Sequence, residues 1–266
     1  ASIDLKNVTA LEDKAFWNCT QLVNIDLSKV ESIGSNAMYA TALQSANLES
    51  LLTFGANAFQ SCKALTHVTL SEQLSEIPRE AFRDCTSLSE INLGHITSVD
   101  YQGFYDCASL SMPDLSNIVS LESNAFRGCS SIGKIRVPKL QIMKSSVFSN
   151  CGTVTETDFS AVKEIEQSAL AYTTFDALDF PNCTKLGSTI LLSSTLNSLR
   201  FTTNQNITLT STNALVFDHP ESTILYLHES KRPGGNGSPL ATGPNVWAGN
   251  TWKEIHYVND NGEEVK

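Results

Sequence analysis

The chain has 266 residues, with 28 acidic side chains against 18 basic ones and a formal net charge of -10 at pH 7. That balance argues against a surface made for nucleic-acid phosphates or anionic lipid, since both need clustered Lys and Arg. No apolar run approaches the roughly 20 residues of a membrane helix, so no membrane insertion is expected, and no signal peptide is present, as would hold for a chain that had already lost one.

In chain order, one stretch keeps returning. "AFWNCTQLVNIDL" begins at Ala15, "AMYATALQSANL" at Ala37, "AFQSCKALTHVTL" at Ala58 and "AFRDCTSLSEINL" at Ala81. "GFYDCASLSMPDL" follows at Gly103, "AFRGCSSIGKIRV" at Ala125, "VFSNCGTVTETDF" at Val147 and "ALAYTTFDALDF" at Ala169. The starts are 22, 21, 23, 22, 22, 22 and 22 residues apart. A fixed period of that size, with one strand and one short turn in each copy, predicts a solenoid of eight stacked coils. In one coil, Leu22, Ile25 and Leu27 predict a short strand with Ile25 and Leu27 inward and Asn24, Asp26 and Ser28 outward. Val30 and Ile33 make a second apolar pair. A column of Phe16, Phe59, Phe82, Phe104, Phe126 and Phe148 is expected in the core. Ile3, Leu5, Val8 and Leu11 match Ile25, Leu27, Val30 and Ile33 at an offset of 22, so the chain is expected to start in mid-coil and continue upstream.

Cys19, Cys62, Cys85, Cys107, Cys129 and Cys151 each fall three residues after the Phe, and Ala40 and Thr173 are read into the same place. Exchange among Cys, Ala and Thr predicts a small, buried, space-limited position. The total of seven cysteines is odd, and a spacing near 22 matches no zinc pattern of the C-x2-C kind. The six column residues are therefore expected to be structural buried thiols. Cys183, in "NCTKL", stands outside the column.

The pattern [Ala/Gly/Val]-Phe-x-x-Cys-x-x-Leu-x-x-Ile-x-Leu with a trailing Val-x-x-Ile resembles the BspA-like class of bacterial leucine-rich repeats, from about Ile3 to Phe180. "TILYLHES" and "NTWKEIHYV" resemble that family's usual close. The resemblance implies an α/β repeat solenoid: a leucine-rich-repeat superhelix with a parallel β-sheet on the concave face and short helical or irregular convex segments. Right-handedness is expected from the rule for parallel crossovers. Residues 1–181 are assigned to the repeats and 182–266 to degenerate last coils and a C-terminal cap, in one structural unit. The resemblance also implies a non-enzymatic, secreted or cell-surface protein that binds or adheres to a host or bacterial surface protein.

The outward strand positions form two columns on the face expected to be concave. Asp26, Asn47, Thr69, Asn92, Asp114, Arg136, Asp158 and Asp179 make one, and His67, Glu90, Met112, Lys134 and Glu156 stand in the other. They read as an acidic binding face with a basic island at Lys134 and Arg136, or as a plain solvated sheet face in which like charges are kept apart. Two further readings stay open. One is a glycan-binding module in the 231–250 loop, with Trp247 as an exposed platform. The other is a passive spacer of a longer surface protein. Trp252 is expected in the core of the cap. The five histidines show no paired ligand spacing and no catalytic motif is present, so no metal, cofactor or catalytic residue is expected.

Overall fold

The computed structural model describes residues 3, 5, 7–210, 219–232, 241–243, 246–248 and 250–265, with the side chains of 241–243 and 246 left out. Asp4 and the strand-like "ALVF" at 214–217 lie outside the described residues.

Most coils contribute two short parallel strands, although the stretch expected as a strand at Leu22, Ile25 and Leu27 runs without ladder pairing, with Leu22 and Leu27 buried and Ile25 half-buried. The first follows the predicted alternation. In Ser45–Leu48 and His67–Leu70, Ala46, Leu48, Val68 and Leu70 are buried and the residues between them exposed. In-register pairing joins these two strands to Glu90–Ile91, then Lys134–Arg136 to Glu156–Asp158. A third piece runs from Ala177–Asp179 through Ser198–Phe201 and Ile224–His228 to Glu254–Val258, and closes antiparallel on Glu264–Val265. This interrupted sheet is called here the front ladder. The trailing Val-x-x-Ile motif makes the second strand, so that Ser32–Ile33 pairs between Ala10–Leu11 and Thr53–Phe54. Equivalent two-residue strands recur up to Thr208–Leu209 and form a side ladder.

The third side of the coil corrects the expected α/β class. Its segments are turns, and helix among the described residues is limited to two 3-10 turns, Pro220–Ser222 and Glu229–Lys231. The reason lies in where the amides go. Phe59 N–H donates to Ala81 O of the next coil at 2.9 Å and Ser61 N–H to Arg83 O at 2.8 Å. Between them, Gln60 donates back to Asn57 O at 3.1 Å and Cys62 to Phe59 O at 3.2 Å. Every second amide thus leaves the coil, whereas a helix would keep all of them inside. The alternation needs two left-handed residues four apart, such as Asn57 (φ 60°) and Ser61 (φ 61°), Gln102 and Asp106, or Asn124 and Gly128. Asn, Asp and Gly enter that region most readily. At Gly128 (φ 81°) a Cβ would lie 1.9 Å from Asp106 Oδ1, so a side chain there would have to displace the Asp106 carboxylate.

Phe59, Phe82, Phe104, Phe126 and Phe148 are fully buried and stack with ring centroids 5.1–5.7 Å apart. Phe16, at the end of the row, is half-buried. A second row, Phe159, Phe180 and Phe201, continues at 5.3 and 5.7 Å.

The thiol column does more than fill space. Cys85, Cys107, Cys129 and Cys151 each donate Sγ–H to the carbonyl of the Phe one coil back, at 3.1, 3.1, 3.2 and 3.4 Å. Cys62 reaches Met38 O at 3.0 Å, Thr173 Oγ1 reaches Phe148 O at 3.1 Å, and Ser194 Oγ reaches Leu170 O at 2.9 Å. The position therefore selects a small donor. It also corrects the alignment of the second coil: Thr41, buried with Oγ1 3.3 Å from Cys62 Sγ, holds the place, while Ala40 is a left-handed residue at φ 53°. Burial pushes the Cys62, Cys85, Cys107, Cys129 and Cys151 thiols up, and brings Cys183 to about 12. All seven cysteines are free. Cys19 is the exception to the expected burial: it is exposed, because no coil among the described residues covers the outer side of the first turn.

In the cap, the reading of Trp247 as an exposed platform is corrected. Trp247 is fully buried, with its ring 5.9 Å from Phe201, and its carbonyl accepts from Trp252 Nε1 at 3.1 Å. Part of the expected loop is antiparallel strand, Ala241–Gly243 and Val246–Trp247 with Asn250–Thr251, which folds the indole back onto the last Phe. Residues 233–240, 244, 245 and 249 lie outside the described residues. Trp252 is buried as expected. His256 ties the closing hairpin, with Nε2 2.9 Å from Glu254 and Nδ1 2.5 Å from Glu264.

Two sets of measurements bear on these contacts, the first on the thiols. Ellman titration of the native chain is expected to count one fast thiol, Cys19, and all seven after denaturation. Cys107→Ala should cost about 1–2 kcal/mol in urea unfolding, and Cys107→Thr less, because the donor survives. Equal losses would reduce the column to filler. The second concerns pH. Hydrogen bonds from its ring N–H groups to Glu254 and Glu264 raise the His256 pKa, with Tyr226 packed 5.2 Å away and Arg200 over Tyr226 at 4.7 Å. A raised folded value gives stability that is complete below the unfolded value near 6.5 and lost as pH rises through the folded one. The melting temperature should therefore fall over that rise in the wild type and fall less in His256→Gln.

Candidate functional site

The front ladder places most of the predicted outward residues in rows. Asn47 stands opposite Thr69, Lys134 opposite Glu156 and Arg136 opposite Asp158. Asp26 and Asp114 are exposed and Asp158 is half-buried, but each carboxylate accepts the amide two residues on, from Ser28, Ser116 and Ser160 at 3.0, 3.0 and 3.1 Å. Asn47 closes the same turn with Glu49 at 3.1 Å. The hydrogen bonds from Ser28 and Ser116 hold the Asp26 and Asp114 carboxyls below their ordinary value. These side chains have a local job, ending the strand, beside any job toward solvent.

Asn92 departs from the expected face. Its side chain turns along the ladder, accepting from Leu70 N–H at 2.7 Å and donating to Leu70 O at 3.0 Å. It patches the backbone where the Glu90–Ile91 strand stops short. His67 and Glu90 meet at 3.4 Å. Asp179, exposed at its tip, has its carboxyl raised by desolvation from the adjoining coil, against the pull of Arg200. The basic island is bound to one carboxylate: Lys134 Nζ lies 2.8 Å and Arg136 3.2 Å from Glu156, and Lys134 lowers the Glu156 pKa.

Met112 is where the front ladder opens. Ser111 N–H still donates back to Ser89 O at 3.2 Å, but Met112 has φ 42° and its N–H turns forward to Ile132 O at 3.0 Å. Pro113 follows with no amide to give. Pairing lapses between Glu90–Ile91 and Lys134–Arg136, and the Met112 side chain stands 60% exposed. Beside it lies a depression of about 380 Å³ lined by Met112, Pro113, Leu115 and Pro138, with Lys134 and Arg136 at its rim. The sequence offers one signal for it: "SMPDL" puts a large apolar residue at an outward strand place and a proline directly after. A strained, exposed thioether beside two cations suits contact with another surface rather than bond-making chemistry.

One arrangement, at the end of the Ile224–His228 strand, bears on chemistry. His228 lies 2.9 Å from Ser230 Oγ through Nδ1 and 3.0 Å from Asp260 through Nε2. Ser230 N–H donates to the same Nδ1 at 3.2 Å, which makes the ring the cap of the Glu229–Lys231 turn. Among the described residues, no group of three His, Cys, Asp or Glu side chains could hold a metal ion, and no helix is long and apolar enough to cross a membrane.

Parallel two-strand coils, stacked rows of Leu, Ile and Phe and a repeated thiol or hydroxyl place the chain among the leucine-rich-repeat solenoids. The profile of the BspA type leucine-rich repeat region matches it in 6 copies, over residues 1–111 and 97–218. The chain belongs to the BspA-type leucine-rich repeat family. Comparison with curated proteins gives no match. Similar solved structures include a leucine-rich cell surface protein from Faecalibacterium prausnitzii A2-165, at 19% identity and a TM-score of 0.49, covering 70% of this chain and 48% of that one. The chain thus spans about half of that protein. A leucine-rich repeat protein from Bacteroides ovatus ATCC 8483 matches at 18% identity and a TM-score of 0.45, covering 86% of this chain and 78% of that one. The leucine-rich-repeat solenoid is in general a non-catalytic scaffold for protein interaction.

The backbone at Met112 gives a direct test. Met112→Asn should keep the wild-type urea midpoint, since Asn accepts a positive φ. Met112→Val should lose about 1–2 kcal/mol, because a β-branched residue does not. A Val variant as stable as Asn would show that the backbone relaxes at no cost.

Proposed function

We propose that this chain is a non-enzymatic binding module of a secreted or cell-surface bacterial protein, and that it takes a protein partner on the front ladder around Met112. The observation that carries the proposal is Met112 itself, exposed and held at φ 42° beside the depression where the ladder is interrupted. The front ladder also lapses between Glu156–Asp158 and Ala177–Asp179, but at Met112 the lapse comes with a large exposed apolar side chain on a positive-φ backbone, which stability alone does not ask for. The adjacent cations and turn-bound carboxylates supply charge pattern for specificity and steering. A stacked solenoid presents such a face already ordered, so docking costs little conformational entropy. Family membership supports the surface setting.

The spacer reading has its own support, in the backbone bonds that occupy Asp26, Asn47, Asn92, Asp114 and Asp158. Burial of Trp247 removes the feature that favoured a glycan platform.

The two readings part in one experiment. The purified chain is tested by biolayer interferometry against a panel of extracellular-matrix proteins and glycans. A saturable protein signal is expected, weakened at least about tenfold, or 1.4 kcal/mol, in Met112→Asp and in Asp114→Asn with Asp158→Asn. The Asn pair keeps the turn acceptors and removes only charge. No saturable binding, or binding untouched by both variants, would leave the spacer.

A further inference from the structure

The side ladder carries a second surface that nothing in the acidic composition announces. On a chain of net charge -10, four lysines gather around one stretch of it: Lys139, Lys144, Lys163 and Lys185. Lys144 pairs with Glu166 at 3.5 Å and Lys185 with Glu164 at 2.5 Å. The other two have no carboxylate partner among the described residues. Lys139 Nζ rests on Asn117 Oδ1 at 2.5 Å and Lys163 Nζ on Gln141 Oε1 at 3.2 Å, each on the coil before its own. With Glu122 included, the patch has four cations against three carboxylates and a net charge of +1.

Its centre is aliphatic. Val119, just before the Ser120–Leu121 strand, is 53% exposed, and Ile142, on the Ile142–Met143 strand, is 39% exposed. Both line a depression of about 250 Å³, with Leu121 and Leu140 beneath and Lys139 and Lys144 at the edge. Neither exposed side chain is required by the coil, because Thr97 and Gln141 fill the place of Val119 in neighbouring coils, and Ser120 and Glu164 that of Ile142. A fixed pair of amide acceptors holds two uncompensated ammonium groups beside an apolar hollow.

We propose that this patch docks an acidic polypeptide segment that bears an aliphatic side chain. Charge complementarity selects the acid: Lys139 and Lys163 lack an anion of their own. The hollow selects the polypeptide, since a sulfated polysaccharide or a phospholipid headgroup would meet the lysines and leave Val119 and Ile142 uncovered. The surface is separate from Met112, on the other ladder, so the two sites are independent.

The test uses the full chain and fluorescein-labelled acetyl-Glu-Leu-Glu-Leu-Glu-Glu-amide, read by anisotropy at low ionic strength. Saturable binding is expected, weakening as salt screens the charges. Lys139→Glu with Lys163→Glu should abolish it, Val119→Ser with Ile142→Ser should weaken it at least about fivefold, and a peptide with Ser for Leu should bind weaker by a similar factor. Asp114→Asn with Asp158→Asn should leave it unchanged, which separates this site from the front ladder. Circular dichroism checks that each variant is folded. Absence of peptide binding would overturn the proposal. So would dextran sulfate or phosphatidylserine vesicles binding whatever stands at 119 and 142, which would mean a general polyanion surface. Concentration-dependent mass in light scattering, lost in the same lysine variants, would overturn it in favour of a second copy of this chain.

Discussion

No coil of this protein can satisfy its own backbone. On the turn side, every second amide is aimed at a carbonyl of the following coil, and on the two ladders amides run to neighbouring coils, as Thr66 N–H does to Gln44 O of the coil before and Val137 N–H to Asp158 O of the coil after. A single repeat would therefore expose half of its turn-side donors and one edge of each strand to water, and bury little to offset the ordering of the chain. Stacking resolves both at once. The Phe rows and the thiol column follow from it: they are what fits between backbones already fixed at the spacing of a parallel ladder.

The same constraint explains which parts were legible in the sequence. The period, the inward alternation and the Phe row are carried by large residues whose spacing survives any detail of the turns. The turns were harder. The pairs Asn57 and Ser61, or Gln102 and Asp106, do carry polar residues suited to a left-handed backbone, but "short turn" and "short helix" put their apolar residues at nearly the same spacing. Only the direction of the amides tells them apart. The second coil misleads by one residue for a related reason: Ala40 is as small as the site requires, but the column takes a small polar side chain, and Thr41, in contact with Cys62 Sγ, supplies it. Trp247 was read from its company of Gly and Pro, which predicts a loop but not that the loop folds back onto Phe201. Of the candidate face, the rows of outward residues were visible. That Asn92 turns along the ladder and that Asp26, Asp114 and Asp158 close turns depends on side-chain torsions no pattern encodes.

The ladders divide the labour of the surface. Where polar side chains cap strands or patch gaps, they are tied to the backbone and have little freedom to serve a ligand. Where the ladder lapses at Met112, or where short strands leave Val119 and Ile142 uncovered, the surface carries features the stack does not need. A solenoid makes that distinction sharp, because the neighbouring coils show what the same position looks like when only stacking is asked of it.

The thiol column has a consequence for where such a chain can live. Beyond the exposed Cys19, its sulfurs hold protons against carbonyls in the dry interior, and burial keeps them from the thiolate form that oxidants and exchange partners attack. The core therefore neither waits for an oxidase to be completed nor comes apart in a reducing medium. A protein built this way reaches the same folded state on either side of a membrane, and its architecture is blind to the redox poise of its surroundings.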